Sequence, residues 1–523
     1  MTVLAALNGP VPKAGVIALA ALAALSLLGY GPRQRAGAML AALVLAPVLL
    51  LADIWHSPQL AVIHRHPAEA AVGAVVLVAL IAAVVRLLLR CPWLLAPLIV
   101  FALPFRVPIQ AGGVTSNLLV PLYFVVTCGV LASVISAWRA PPAAPSPDGL
   151  SARRARASRR VPAAVTWLER LLAFYVVLYA IQSVYSVDFE KALQQMVFFY
   201  APFALMFGLL RHLPWSARLL RRCLEVVAGL AIVFAFIGFV EYATKTIILN
   251  PRLVVQNDLH AYFTVNSVFF DPDIFGRFLA LVMVALAAVL LYLRRTREQL
   301  IVTAVLAVLW VGLLLTLSRS SLGALLVGMG TLAALRWRPS RTLVPAGVVI
   351  LVGVVAVFAL PKTFGLNQGL NGASSGRAGL ISGGIHMFAQ RPGWGYGSGS
   401  FVTQYRREHP DTASQLAASH TIAVTIAAEQ GLIGELVYVA LVLMALFMLV
   451  QGARGDPARA ALAAAFVALV LHTNLYADFL EDPVTWTVLG IGAALAALRT
   501  RPRPATHATA PVDTAVATGA GGA

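Results

Sequence analysis

Residues 305–335 read VLAVLWVGLLLTL-SRSS-LGALLVGMGTLAAL, two apolar runs joined by four polar residues. A helix that crosses a bilayer needs about 20 mostly apolar residues. The pair therefore reads as two neighbouring spans, and the connection is too short for a large loop. Arg319 then lies at the membrane boundary or just within it. A mid-membrane arginine costs roughly 2.5–3.5 kcal/mol on insertion scales, so such residues are usually kept for function.

Working outward, comparable runs fall near 14–30, 36–54, 68–89, 93–109, 118–137, 166–186, 195–210, 219–241, 274–293, 300–317, 320–336, 342–360, 421–450, 459–476 and 484–498. Soluble domains carry about 25% charged residues, whereas this chain has 11%, with 60% hydrophobic. The expected fold class is an all-α polytopic membrane protein with about 12–15 transmembrane helices. The segment 93–109 contains Pro92, Pro97, Pro104 and Pro108 in or beside it, and proline breaks a helix interior. That segment is expected to be broken or re-entrant.

The formal net charge is +18. Arginines and lysines cluster between alternate spans, as the positive-inside rule requires, and no basic face with interleaved aromatics suits nucleic acid. This alternation puts the N-terminus outside and the C-terminus inside. Cys91, Cys128 and Cys223 share no short spacing, so neither a zinc site nor a disulfide framework is expected. The first apolar run reads as a retained helix, since it lacks a small-residue cleavage site.

The chain divides into N-terminal membrane helices over 1–138 and a disordered basic cytoplasmic linker over 139–165. Central membrane helices occupy 166–360, followed by an extracytoplasmic loop domain with short helices over 361–420. C-terminal membrane helices fill 421–499, and a disordered cytoplasmic tail covers 500–523. No internal repeat is visible, which counts against transporters built from inverted repeats.

The unusual polar residues fall on the outward side. Ser320 or Ser321 can cap the helix after Arg319, and an arginine beside free helix N–H groups suits an anion. Arg377 starts an amphipathic stretch, RAGLISGGIHMFAQ. GWGYGSGSF lacks the spacing of a dinucleotide fingerprint, so its glycines read as shaping a tight loop. There Trp394 and Tyr396 either stack on a sugar ring or anchor the loop at the interface. His420 stands at the start of a membrane helix, where an imidazole can take a proton near neutral pH. Gly431 and Gly434 would let another helix approach beneath it. Glu429 lies on the opposite side of that helix. Asp271 and Asp273 could hold a divalent metal or cap the helix that carries Arg277.

Together these residues resemble the O-antigen ligase and O-antigen polymerase family of polytopic glycosyltransferases. The resemblance is carried by Ser318-Arg319-Ser320, then Arg377, then Arg391-Pro392 with Gly395, Gly397, Gly399, Ser400 and Phe401. It closes with His420-Thr421 and Gly431-Leu432-Ile433-Gly434. Thr421 stands where ligases usually have Asn, Ser or Gln, and Pro272-Asp273 where the family often has proline–asparagine.

The resemblance implies a GT-C-like membrane fold and a donor glycan on a polyprenyl diphosphate. Arg319, Arg377, Arg277 and Ser318 would bind that donor, with Trp394 and Tyr396 against sugar. His420 would be the general base of an inverting transfer to a glycan or lipid acceptor, without metal or cofactor. The site would face outward from the inner or plasma membrane, in contact with membrane lipids and without nucleic acid. The number of subunits is left open. The rival expectation is a transporter or flippase for lipid-linked sugars, in which the arginines bind substrate and no chemistry follows.

Overall fold

Backbone polar groups in lipid must be satisfied within their own segment, so apolar runs of bilayer length fold as helices. The computed structural model describes residues 9–29, 31–54, 67–111, 114–140, 161–248, 263–337, 377–410, 419–476 and 478–498. Its first helices are α1 (Pro10–Leu28), α2 (Pro32–Ile54), α3 (Pro67–Arg90) and the short α4 (Leu95–Ala102). A two-stranded antiparallel ribbon follows, β1 (Val107–Ala111) and β2 (Val114–Leu118), with Val107 opposite Leu118. Next come α5 (Val120–Arg139), α6 (Ala163–Ser183), α7 (Phe189–His212), with one π-helical turn at Met196–Tyr200, and α8 (Ala217–Thr244). The second half holds α9 (Pro272–Leu290), α10 (Thr296–Leu315), α11 (Arg319–Arg336), α12 (Arg377–Gln390) and α13 (Phe401–Glu408). It ends with α14 (Ile422–Val450), α15 (Pro457–Tyr476) and α16 (Pro483–Leu498).

Eleven of the described helices are long and apolar enough to cross a membrane, so the chain is an all-α multi-pass membrane protein apart from the ribbon. Four of the fifteen expected spans are not among them. The span at 342–360 lies outside the described residues, as do most of the 139–165 linker, the first part of the 361–420 loop and the 500–523 tail. α11 begins and ends on an arginine, and α16 is a shorter apolar helix. The proline-rich 93–109 segment divides into a 3-10 turn at Pro92–Leu94, α4, and then strand β1, which contains Pro108.

Two cores organise the bundle. One packs α1, α2, α5, α6 and α7 against α14, α15 and α16, around Trp486, Phe203, Phe207 and Phe466. The other packs α8, α9, α10 and α11 against α15, around Phe234, Phe269 and Phe275. α15 touches both and joins them. Side chains such as Val75, Val78, Leu436 and Leu443 point outward, as lipid-facing residues do.

A third, small core lies where the segment between α11 and α14 meets the start of α14. Leu380 and Met387 of α12 pack with Tyr396, with Phe401 and Tyr405 of α13, and with Ala428 of α14. This cluster holds the segment between α11 and α14 against the bundle. It brings the start of α12 and the start of α14 to the bundle end where α9 and α11 begin and α15 finishes.

Candidate active site

The reversal between α10 and α11 is tight because Leu317 takes a left-handed φ of 52°. Ser318 then caps α11, its Oγ accepting from the Ser321 N–H at 3.2 Å. Ser318, Ser320 and Ser321 are buried, whereas Arg319 points out and is exposed. The serines face α9, where Gly276 makes room. A Cβ on Gly276 would stand 2.7 Å from Ser321 Oγ and 3.0 Å from Thr316 Oγ1.

The acceptor for these hydroxyls is Asp273, in the first turn of α9. Ser318 Oγ donates to Asp273 Oδ1, and Ser320 Oγ donates to the same oxygen at 3.0 Å. Ser321 Oγ donates to the Asp273 carbonyl at 3.1 Å. Behind them, buried His472 of α15 sets its Nε2 3.3 Å from both Ser320 Oγ and Ser321 Oγ. The cap of α9 is Asp271, which accepts from the Asp273 N–H at 2.7 Å and leaves the Asp273 carboxylate free for the serines. Among the described residues, no three His, Cys, Asp or Glu side chains come together as a metal would need.

Arg377 opens α12. Its Nη1 donates to the Leu475 carbonyl at 3.0 Å, while Nη2 stands 3.7 Å from Asp273 Oδ2. That second distance is too long for a charge-assisted hydrogen bond. The pair is loose, and the arginine side chain is 35% exposed.

His420 also takes a left-handed φ, 56°, in the turn before α14. Ser419 builds that turn, with its Oγ accepting from the Thr421 N–H at 3.1 Å and lying 2.6 Å from Thr425 Oγ1. The imidazole meets the Tyr476 ring edge-on at 6.1 Å. Burial, followed by the charge of Arg377, pushes its pKa below the ordinary histidine value; Asp273 and Asp478 oppose that shift. A neutral imidazole at neutral pH is a competent proton acceptor. Ser318, Arg377 and His420 thus converge around Asp273 and Tyr476, and Arg319 sits at the rim with its side chain turned away.

Arg277 lies one turn along α9 from Asp273. Its Nη2 pairs with Asp482 at 2.8 Å, and both side chains are almost fully buried. Asp482 also caps α16 through the Val484 N–H at 2.9 Å. Arg277 Nη1 has no hydrogen-bond partner among the described residues. The guanidinium borders a cavity of about 180 Å³ whose wall is mostly apolar, including Phe278, Leu281 and Val488, with Arg106 alongside. Nearby, burial pushes the Glu481 carboxyl up to about 8, with the neighbouring Asp478 raising it further.

The glycine-rich element has a structural task. Helix α14 is broken at Gly431, with φ 65° and ψ −165°. The freed backbone is satisfied by the loop: the Tyr396 N–H donates to the Ala428 carbonyl at 3.1 Å and the Gly397 N–H to the Glu429 carbonyl at 2.8 Å. The Leu432 N–H donates to the Pro392 carbonyl at 2.7 Å. Glu429 turns away from His420 and accepts from the N–H groups of Gly399 and Phe401 at 2.8 and 2.9 Å. Gly395, Gly397 and Gly399 all have positive φ. The close approach at Gly431 is by the Gly393 carbonyl, not by a second helix as its spacing with Gly434 suggests.

Trp394 and Tyr396 separate in this loop. Tyr396 is buried, donates its hydroxyl to Gln390 and lies under Arg391 at 4.5 Å. Trp394 is exposed beside Tyr185, whose hydroxyl donates to the Trp394 carbonyl at 2.6 Å. The two remaining loop histidines stand apart, His386 beside Gln390 at 2.9 Å and His409 stacked on Tyr405 at 4.4 Å.

His472 and Tyr476 were not singled out individually in the sequence. Their signal was the polar run HTNLYADFLEDP at the end of an apolar span. Three serines in a membrane turn also demand an acceptor on a neighbouring helix, which Asp273 and His472 supply.

No curated protein matches the chain. Residues 303–439 match the family model described as O-antigen ligase, an interval running from α10 through the serine turn, Arg377, the glycine element and His420 to the middle of α14. Asp273, Arg277 and His472 lie outside that interval, on the flanking helices α9 and α15. Over residues 303–439 this multi-pass membrane protein is therefore similar to the O-antigen ligase family, which supports a membrane glycosyltransferase-like role in surface-polysaccharide biosynthesis.

Proposed function

We propose that the chain transfers or polymerises a glycan carried on a polyprenyl diphosphate, at the extracytoplasmic face of the inner or plasma membrane. The observation that carries this reading is the convergence of a neutral imidazole, His420, and a loosely held guanidinium, Arg377, at the boundary end of the bundle. His420 takes the proton of an acceptor hydroxyl, and that oxygen attacks the anomeric carbon from the face opposite the diphosphate. The sugar–oxygen bond to the diphosphate breaks with inversion, and the leaving group keeps the electron pair. Arg377, with Arg319 at the rim, offsets the charge that grows on the leaving oxygen.

A lipid-linked donor needs a site where water meets hydrocarbon, because its glycan is wet and its prenyl chain is not. The apolar cavity below Arg277 is suited to part of such a chain. Trp394, exposed near the loop surface, is the aromatic available to a sugar face; Tyr396 serves the loop core. The acceptor is a hydroxyl of a glycan or lipid, and the reaction draws its energy from the sugar–diphosphate bond.

The test is transfer by purified protein from a polyprenyl-diphosphate glycan, read by product size. Expected is loss of at least about a hundredfold in rate for His420→Ala, in line with general-base contributions, with melting unchanged. Rate retained within a few-fold by that variant favours the transporter or flippase reading, in which the imidazole does no chemistry.

A further inference from the structure

We propose that Asp273 is a positioning residue that acts as the internal counter-anion of Arg377, weakening the grip on a diphosphate so that the product can leave. This deepens the transferase reading above and rests on it for the identity of the anion.

Asp273 is fixed from one side and open on the other. Ser318 and Ser320 both donate to Oδ1, and Ser321 holds its backbone carbonyl, so the carboxylate cannot swing away. Oδ2 is left facing Arg377 across 3.7 Å. The two arginine pairs of α9 differ in kind. Arg277 and Asp482 are in direct contact at 2.8 Å and sealed from solvent, whereas Arg377 and Asp273 are separated and 35% and 21% exposed. A ligand anion can reach the second guanidinium without first breaking a buried pair, and that distinction decides which arginine exchanges partners.

The carboxylate does not vacate the site when a ligand arrives, because the serines keep it. A diphosphate on Arg377 therefore lies beside a fixed negative charge. In the donor the diphosphate is a diester with two ionised oxygens. After transfer the polyprenyl diphosphate is a monoester that can carry a third charge. The repulsion from Asp273 is greater for the product than for the donor, so the same carboxylate that lowers donor affinity also favours release. The repulsion falls with the distance between the ligand's charges and the carboxylate, and solvent screening reduces it further.

The experiment uses full-length protein in detergent and inorganic diphosphate as the probe, with affinity measured by calorimetric titration. Asp273→Asn keeps the shape and an acceptor for the serines and removes the charge. It should bind the probe roughly tenfold more tightly, as expected for one like-charge contact at a half-exposed site. Asp273→Glu, which keeps the charge, should stay within about threefold of wild type on the same reasoning. In an Arg377→Ala background, the Asp273→Asn change should have no effect on affinity, a dependence that a merely structural aspartate would not show. If Asp273→Asn does not fold, Asp273→Ser offers a hydroxyl to the same serines and makes the same comparison. Equal affinity for wild type and the uncharged variant, or weaker binding by the variant, overturns the proposal.

The two readings fail separately. Tighter binding by Asp273→Asn in a protein that transfers no glycan sinks the transferase and leaves the counter-anion. Normal transfer with unchanged diphosphate affinity sinks the counter-anion alone.

Discussion

His420 sits among groups that pull its protonation in opposite directions. Burial and Arg377 disfavour the imidazolium, while Asp273 and Asp478 favour it, and the balance lies below the ordinary value of 6.5. The neutral form is then present at pH 7 and persists as pH falls through 6.5. The acid limb of kcat/KM should therefore lie below that of an unperturbed histidine. Arg377→Ala, which removes a disfavouring charge, should move the limb toward higher pH. A limb above 6.5 in the wild type, or no movement in the variant, would exclude His420 as the titrating base. The position of this residue at a helix start was legible in the sequence; its neighbours Arg377, Asp273 and Tyr476 were not. Arg319 drew attention as an outward arginine, yet side chains alternate around a helix start, so the buried positions went to Ser318, Ser320 and Ser321.

At the scale of the element, the break in α14 and the loop that fills it form one unit. Gly397 has φ 95°, and a Cβ there would stand 2.3 Å from Ser186 Cα, a backbone atom that cannot step aside. Gly397→Ala should destabilise by at least about 2 kcal/mol through strain and overlap and lower both the melting temperature and transfer. Gly37→Ala provides the contrast, since nothing lies within 4 Å of its added Cβ and the position is helical. It should melt at or above the wild-type temperature. The sequence marked this glycine run as a tight loop, and marked 93–109 as a broken segment from its prolines. It did not place the interruption of α14 at Gly431, because Glu429-Gln430-Gly431 is only a brief polar step in an otherwise apolar run, and the break depends on the Pro392 and Glu429 backbone contacts.

At the scale of the whole molecule, the basic residues on alternate loops predict that the serine turn, Arg377 and His420 face outward. With Cys91, Cys128 and Cys223 replaced by alanine, Arg407→Cys should react with a membrane-impermeant thiol reagent on intact cells. Arg454→Cys, in the turn between α14 and α15, should react only after permeabilisation. The opposite pattern would reverse the orientation and with it the proposed outward site. By itself the sequence determined the helical membrane class, most of the spans and the identity of the base and arginine candidates, because hydropathy and side-chain chemistry are local properties. Which arginine is locked to a buried aspartate and which stands apart from its carboxylate at 3.7 Å was decided only by packing. Asp273 and the serine turn are 45 residues apart in the chain and His472 is about 150 residues further on, and only the close approach of α9, α11 and α15 makes them neighbours.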